Sequence, residues 1–100
     1  MTTITFERSG GVIGNETHFE VDLNSLPGEE ADRVLKLIDE ANFFNLPTDL
    51  TGKNSPDEFQ YRITIDNGGD THTVRVTDTT MPESMGLLVK ELTMLKILRR

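Results

Sequence analysis

The sequence of 100 residues contains no cysteine and no tryptophan, and it has only one tyrosine. Without cysteine the chain can form neither a disulfide framework nor a thiolate metal site, and it has no cysteine nucleophile. No run approaches the roughly 20 apolar residues that a membrane span needs. The first residues, MTTITFERSGG, lack the basic and apolar regions of a secretion signal, so we expect a cytoplasmic protein with no membrane partner.

Positive charge is also scarce, because 10 lysine and arginine residues stand against 17 aspartate and glutamate residues, for a net charge of −7. This balance argues against a nucleic-acid partner, since proteins that bind nucleic acid usually carry a basic face. Solubility is the simplest explanation of the acidity; a partner with a positive rim and DNA mimicry are the alternatives. The length and the 35% hydrophobic content predict a single domain over residues 1–100.

The first half of the sequence predicts two strands and a helix. Apolar and polar residues alternate over residues 2–8 and again over residues 18–23, and the two strands are close enough to form a hairpin around residues 9–15. Residues 25–44 then carry apolar side chains at helical spacing. Ser25 is expected to be the N-cap of this helix.

The second half repeats the pattern of two strands and a helix. FQYRITI and THTVRV alternate, and Asn67-Gly68 between them predicts a type I′ hairpin turn, in which both central residues have positive φ. Thr80 and Glu83 fit a capping box at the start of the last helix.

The predicted fold class is α+β, with a four-stranded antiparallel sheet in ββαββα order and both helices packed on one face. The other face, lined by Thr, Arg, Gln and Glu, is expected to be in contact with water. The last helix carries Leu87, Met94 and Ile97 beyond a narrow apolar stripe. These side chains are either buried under the sheet or exposed for a partner or a dimer.

No motif for catalysis is present: the sequence contains no H-E-x-x-H, no phosphate-binding G-x-x-x-x-G-K-[ST] and no G-x-S-x-G. The only histidines are His18 and His72, on different predicted hairpins. A metal-dependent enzyme that uses both is an alternative, but two scattered residues do not provide a ligand set. We therefore predict a binding module without enzymatic activity and without a cofactor or metal.

The order of several short motifs resembles the emfourin family. These motifs are FERSGG, SLPGEEADRVLKLIDEANFFNLP, FQYRITIDNGGDTHTVRV and MPES, and they extend over nearly the whole chain except residues 47–57. The family consists of small proteinaceous inhibitors of thermolysin-like (M4) metalloproteases, with protealysin as the best-known target. The resemblance implies a cytoplasmic, cofactor-free, non-covalent inhibitor that occludes the substrate cleft of such a protease.

The glycine-rich segment near the start is the predicted contact loop. Thermolysin-like enzymes prefer a bulky apolar residue just after the scissile bond, and Val12-Ile13 between glycines would present one on a loop held by a scaffold. The predicted loop comprises Ser9, Gly10, Gly11, Val12, Ile13 and Gly14. The alternative is that Val12 and Ile13 end a strand and cover the core, with the glycines forming a bulge.

Other connections are expected at the same end of the domain. If the first helix runs back along the sheet, the 46–57 loop and the 78–82 junction lie beside the 9–15 hairpin. The predicted contact surface then also includes Asp49, Leu50, Asp57 and Asp78. These carboxylates could approach a catalytic zinc or cationic groups around the cleft, or simply be solvated. We expect a monomer; the second functional hypothesis is a homodimer or adaptor that uses the apolar face of the last helix.

Overall fold

The computed structural model describes residues 2–10, 16–50 and 58–98, which form a four-stranded antiparallel sheet with two helices. The elements are β1 (Thr3–Gly10), β2 (Thr17–Asp22), α1 (Gly28–Glu40), β3 (Phe59–Asp66), β4 (Thr71–Thr77) and α2 (Glu83–Leu98). Short 3-10 turns cover Leu23–Ser25 and Phe43–Asn45. The predicted α+β class and ββαββα order are confirmed.

The strands are ordered β2-β1-β3-β4, so the first strand of each hairpin lies at the centre of the sheet. Gly10 pairs with Phe59 at one end of the central β1–β3 ladder, and Thr3 pairs with Asp66 at the other. β2 and β4 are the two edge strands. This arrangement joins the two ββα halves through their central strands, without exchanging strands between them.

Both helices cover the same face of the sheet. Every second strand residue from Ile4 to Val76 points into one core with α1 and α2, and none of the described helices lies on the opposite face. The largest fully buried side chains are Phe6, Phe43, Ile4, Ile63, Ile65, Met85, Leu88, Leu92, Leu95, Val34, Val74 and Val76. Each such side chain stabilises the fold by about 1.5–3 kcal/mol relative to exposure. We call the two sides of the sheet the helix-covered face and the open face.

The predicted start of the first helix is wrong by two residues, since the N-cap is Pro27 and not Ser25. Ser25 ends a 3-10 turn instead, and its hydroxyl donates to the Asp22 carbonyl oxygen at 2.6 Å. The Asp22 carboxylate accepts from the Asn24 N–H at 2.9 Å, which caps that turn. Because the residues up to Ser25 are held in this turn, α1 begins at Gly28, directly after Pro27.

The predicted capping box at the last helix is also absent. The Thr80 hydroxyl accepts from the Thr77 N–H at 2.9 Å and contacts the Thr77 hydroxyl at 3.0 Å. It therefore closes the turn after β4 and is not available to the helix. α2 begins at Glu83, and the Gly86 N–H donates to the Pro82 carbonyl at 3.0 Å. No helix among the described residues has the length and apolar character to cross a membrane.

The β3–β4 hairpin is present, but its turn lies one residue later than predicted. The Asn67 N–H donates to the Asp70 carbonyl at 3.0 Å, so Gly68 and Gly69 are the central residues. Of these two, only Gly68 has a positive φ, at 95°, which is the pattern of type II′ and not type I′. The Asn67 carboxamide accepts from the N–H groups of Gly69 and Asp70, which favours the shifted turn.

Candidate functional site

The predicted contact loop leaves the sheet at the end where Gly10 pairs with Phe59. Thr17 starts β2 opposite Arg8 at this end, and β4 ends there at Thr77, which pairs with Gln60. Gly10, Thr17, Phe59 and Thr77 therefore all lie at one end of the sheet. We call it the loop end. The 67–70 turn lies at the opposite end.

Gly10 is the last residue of β1 and needs to be glycine. Its φ is +91°, a conformation that residues with a side chain rarely adopt. A Cβ atom here would lie 2.9 Å from the backbone oxygen of Glu58, closer than real Cβ contacts come. Backbone atoms cannot move aside as a flexible side-chain tip can. The base of the predicted contact loop therefore has a defined conformation set by its contact with β3.

Two carboxylates bind the loop end together. Asp78 accepts from the Phe59 N–H at 3.1 Å and from the Tyr61 hydroxyl at 2.9 Å, which links the end of β4 to the start of β3. Glu58 accepts from the Thr79 N–H at 3.0 Å in the opposite direction. Because each acid bonds a backbone N–H of the other segment, the two segments hold each other in place.

Arg8 packs over the aromatic side chains at the loop end. Its guanidinium carbon lies 4.7 Å from the centre of the Phe59 ring, a cation–π contact. Tyr61 stacks on the buried ring of Phe6 at 6.1 Å between centroids. The Nε atom of Arg8 is buried and has no hydrogen-bond partner among the described residues. At the loop end, the aromatic rings of Phe6, Tyr61 and Phe59 therefore pack together, and Arg8 covers the Phe59 ring.

The pKa of Tyr61 reflects this environment. Burial and, after it, the hydrogen bond to the Asp78 carboxylate together raise the pKa of its hydroxyl to about 12, because both favour the protonated phenol. Tyr61 is thus a proton donor in a structural bond over the whole physiological range. Its position does not make it a general base, since it remains neutral.

Asp49 and Leu50 lie along β4 and not at the loop end itself. The Arg75 N–H donates to the Thr48 carbonyl at 3.0 Å, and the Leu50 N–H donates to the Arg75 carbonyl at 2.8 Å. This short parallel pairing covers the outer edge of β4. Leu50 is half-buried against the core, and the Asp49 carboxylate lies 3.9 Å from the Arg75 guanidinium.

The structure thus separates the predicted contact residues into three groups. Ser9, Gly10 and Asp78 meet at the loop end, whereas Asp49 and Leu50 follow the edge of β4 toward it. The remaining residues lie outside the described part of the chain: Gly11, Val12, Ile13, Gly14 and Asp57.

Sequence reasoning did not identify Arg8, Glu58 or the half-buried Phe59 as parts of the loop end. For Arg8 a signal was present, since it continues the alternation of Ile4 and Phe6 and so points to the helix-covered face. Nothing in the sequence indicates that Glu58 bonds Thr79, which is 21 positions away.

The open face carries a row of charged side chains across the sheet. Arg62 forms two hydrogen bonds to the Glu7 carboxylate, at 3.1 and 2.8 Å, and lies opposite Arg75 on β4. The Arg62 guanidinium lowers the pKa of Glu7. A groove of about 460 Å³ runs from Ser9 to Arg75 over this row. Arg62 and Arg75 lie beside the acids Glu7 and Asp49, while the third arginine of the groove, Arg8, packs on Phe59.

The two histidines do not form a common site. His18 is exposed on β2, on the open face, while His72 lies on β4 with its ring packed against Phe43 and its Nε2 atom 2.7 Å from the Leu46 carbonyl oxygen. They occupy opposite edge strands and opposite faces of the sheet, so they cannot bind one metal ion. Among the residues that the structure describes, no cluster of three or more His, Asp or Glu side chains could hold a metal.

Comparison with known proteins gives a family match. The model of the Emfourin family matches residues 6–93. No curated protein sequence matches the chain. Among solved structures, the chain is similar to emfourin from Serratia proteamaculans, described as an M4 family peptidase inhibitor. That similarity has 17% identity and a TM-score of 0.49, and it covers 87% of this chain and 84% of the other.

Proposed function

The chain belongs to the emfourin family, and we propose from this membership that it is a non-covalent proteinaceous inhibitor of thermolysin-like (M4) metalloproteases. The observation that carries the proposal is the family match over residues 6–93, which includes most of β1, all of β2, α1, β3 and β4, and most of α2. The protein would bind an M4 protease at its substrate cleft and would perform no chemistry itself.

We propose that the contact is made through the loop end, with Val12-Ile13 entering the cleft. Two features support this location. The backbone of Gly10 is held against Glu58, and Asp78 and Glu58 tie together the segments beside it. A binding loop on a base that is already ordered loses less conformational entropy on association. Leu50 and Asp57 would lie at the rim of the same contact.

The direct test is titration of a thermolysin-like protease with the purified protein. A stoichiometric loss of proteolytic activity is the expected result, because a cleft-occluding inhibitor acts one to one. Full activity of several M4 enzymes in the presence of micromolar protein would refute the proposed function. It would leave a domain that shares the family's sequence pattern but acts on another partner.

The contact loop is tested by a double substitution. Val12→Asp with Ile13→Asp places two charges where an apolar pocket is expected, and it should weaken inhibition by orders of magnitude. A matched control puts the same two charges at the opposite end, with Gly69→Asp and Thr71→Asp. Equal inhibition by both variants would show that the loop is not the contact. Unfolding of the loop variant would favour the alternative that these residues cover the core.

A second function is favoured by one observation on α2. Leu87 and Met94 are 55% and 46% exposed, unusually open for large apolar side chains. A non-inhibitory adaptor or homodimer could use this face. Under that alternative, Leu87→Glu with Met94→Glu would abolish self-association in analytical ultracentrifugation, whereas an inhibitor acting through the loop end would inhibit unchanged.

A further inference from the structure

The two edge strands of the sheet differ in how their backbone groups are used. On β4, the N–H and C=O of Arg75 point outward and are both bonded to the 48–50 segment. Unpaired edge groups are a template for another strand, and proteins commonly cover or blunt them. β2, the other edge, has no strand beside it in the described part of the chain.

The direction of the β2 backbone groups follows from one hydrogen bond. The Leu23 N–H donates to the Thr2 carbonyl at 2.9 Å, one step beyond the pair of Thr3 with Asp22. Bonded and non-bonded pairs alternate in an antiparallel ladder. Val21 and Phe19 therefore bond to β1, whereas the residues between them direct their N–H and C=O groups away from the sheet. Continued across β1 and β3 to β4, the same alternation predicts that the N–H and C=O of Arg75 point away from β3, as their bonds to Thr48 and Leu50 show.

Three residues of β2 present outward groups: His18, Glu20 and Asp22. The carbonyl of Asp22 already accepts from the Ser25 hydroxyl at 2.6 Å, which closes that end of the edge. The N–H and C=O groups of His18 and Glu20 have no partner among the described residues. The open part of the edge is therefore short, with two donors and two acceptors around Phe19.

From this pattern we infer that β2 pairs with β2 of a second copy of the chain, antiparallel and with the two-fold axis at Phe19. In this register His18 of each copy lies opposite Glu20 of the other, and all four open groups of each copy find a partner. The contact is isologous and closes on itself, so it ends at a dimer. The inference is independent of the proposed inhibitory function.

Moving the two-fold axis by one residue in either direction gives a less favourable pairing of the two β2 strands. An axis at His18 places Glu16 opposite Glu20 of the second copy, with like charges facing each other. An axis at Glu20 places that acid opposite itself and requires the Asp22 carbonyl that Ser25 occupies. Only the axis at Phe19 pairs the free backbone groups of His18 with those of Glu20 and keeps Glu20 away from another acid.

The side chains of β2 fit the same register. His18 and Glu20 are both exposed on the open face, so the two pairs form without burying an unpaired charge. Phe19 is half-buried on the helix-covered face and would meet its counterpart across the axis, where side chains of a non-bonded pair come closest. Glu16 and Asp22 face each other at the two ends, which limits the pairing to the central residues.

The interface is small, so the dimer is expected to be weak and to form at high protein concentration. Because the paired strands are antiparallel, the loop ends of the two copies would point in opposite directions. Each copy would then keep its loop end free. The monomer expected from the sequence would remain the species at low concentration.

Sedimentation velocity of the full chain between about 10 µM and 1 mM tests the inference. The sedimentation coefficient of the unmodified protein should rise with concentration. Glu20→Pro removes the outward N–H and leaves the backbone bonds to β1 in place, although it also removes the 3.4 Å hydrogen bond from the Thr5 hydroxyl to the Glu20 carboxylate. It should raise the dissociation constant at least about tenfold. Glu20→Lys should weaken association similarly, whereas His18→Lys should strengthen it several-fold because it places an ammonium group opposite the Glu20 carboxylate of the second copy.

The controls separate this interface from others. Circular dichroism should show that all three variants keep the fold. Leu87→Glu on the exposed face of α2 should leave association unchanged. A protein that stays monomeric at 1 mM would overturn the inference, as would association that is lost with Leu87→Glu and kept with Glu20→Pro. Inhibition of a protease by the dilute protein has no bearing on this outcome, so the two proposals fail independently.

Discussion

Replacing Gly10 with alanine tests the base of the predicted contact loop. The φ of +91° costs a residue with a Cβ about 1–2 kcal/mol, since this region is disfavoured for L-residues. The new Cβ would also lie 2.9 Å from the Glu58 backbone oxygen, so β1 or β3 has to shift. Together we expect a loss of about 1–3 kcal/mol in the free energy of unfolding.

The assay is thermal unfolding, with Gly28→Ala as the matched control. Gly28 has an ordinary φ, no atom within 4 Å of a built Cβ, and a place in the first turn of α1. Alanine there should be neutral or slightly stabilising. In a domain of this size, each kcal/mol corresponds to about 4–8 °C in Tm. If the Tm of Gly10→Ala lies within one or two degrees of the control, the reasoning from φ and the Glu58 contact is wrong.

Three further predictions concern other parts of the structure. The single tyrosine makes the pKa of Tyr61 directly measurable by ultraviolet absorbance, and a midpoint near 10 instead of about 12 would contradict its burial and its bond to Asp78. Because the folded-state pKa is raised, this group's contribution to stability is complete below pH 10 and is lost as the pH rises toward 12, so alkaline unfolding should be less steep for Tyr61→Phe. Arg62 lowers the pKa of Glu7, so the ionised carboxylate adds to the free energy of unfolding above the ordinary glutamate pKa, and this contribution is lost on acidification. In urea unfolding, the stability of Glu7→Gln should therefore depend less on pH between about pH 5 and 2. Leu92→Ala should cost about 2–5 kcal/mol in urea unfolding because the side chain is fully buried, whereas Leu87→Ala on the same helix should cost under about 0.5 kcal/mol, and equal losses would mean that the orientation of α2 is wrong.

Much of the fold was predictable because its hydrophobic periodicity is clear. Alternation in β1 to β4 and helical spacing in α1 and α2 correctly gave the elements, their order and the buried face. The order of motifs along the chain also indicated the emfourin family, which the match over residues 6–93 established. Periodicity is a property of each short segment, and the order of motifs is a property of the sequence as written, so both can be recognised from one sequence.

The errors at helix and turn boundaries have a common cause. Ser25, Thr80 and Asn67 are residues whose short polar side chains can bond several backbone groups. The Ser25 and Thr80 side chains bond Asp22 and Thr77 instead of capping the helices as expected, and the Asn67 side chain bonds Gly69 and Asp70 in a turn shifted by one residue. Composition gives the candidates for such bonds, but the geometry of the adjoining strand decides among them.

The sequence by itself determined the residues of the glycine-rich loop, the acidic surface and the absence of cysteine. Only the tertiary structure decided which distant residues support that loop. Arg8 meets Phe59, and Asp78 meets Tyr61, because β1, β3 and β4 end at the same place in the sheet. It also decided that one sheet edge is covered by Thr48–Leu50, while in the described part of the chain nothing pairs with the edge at His18 and Glu20. Such pairings depend on strand register and direction, which arise only when segments far apart in the chain pack together.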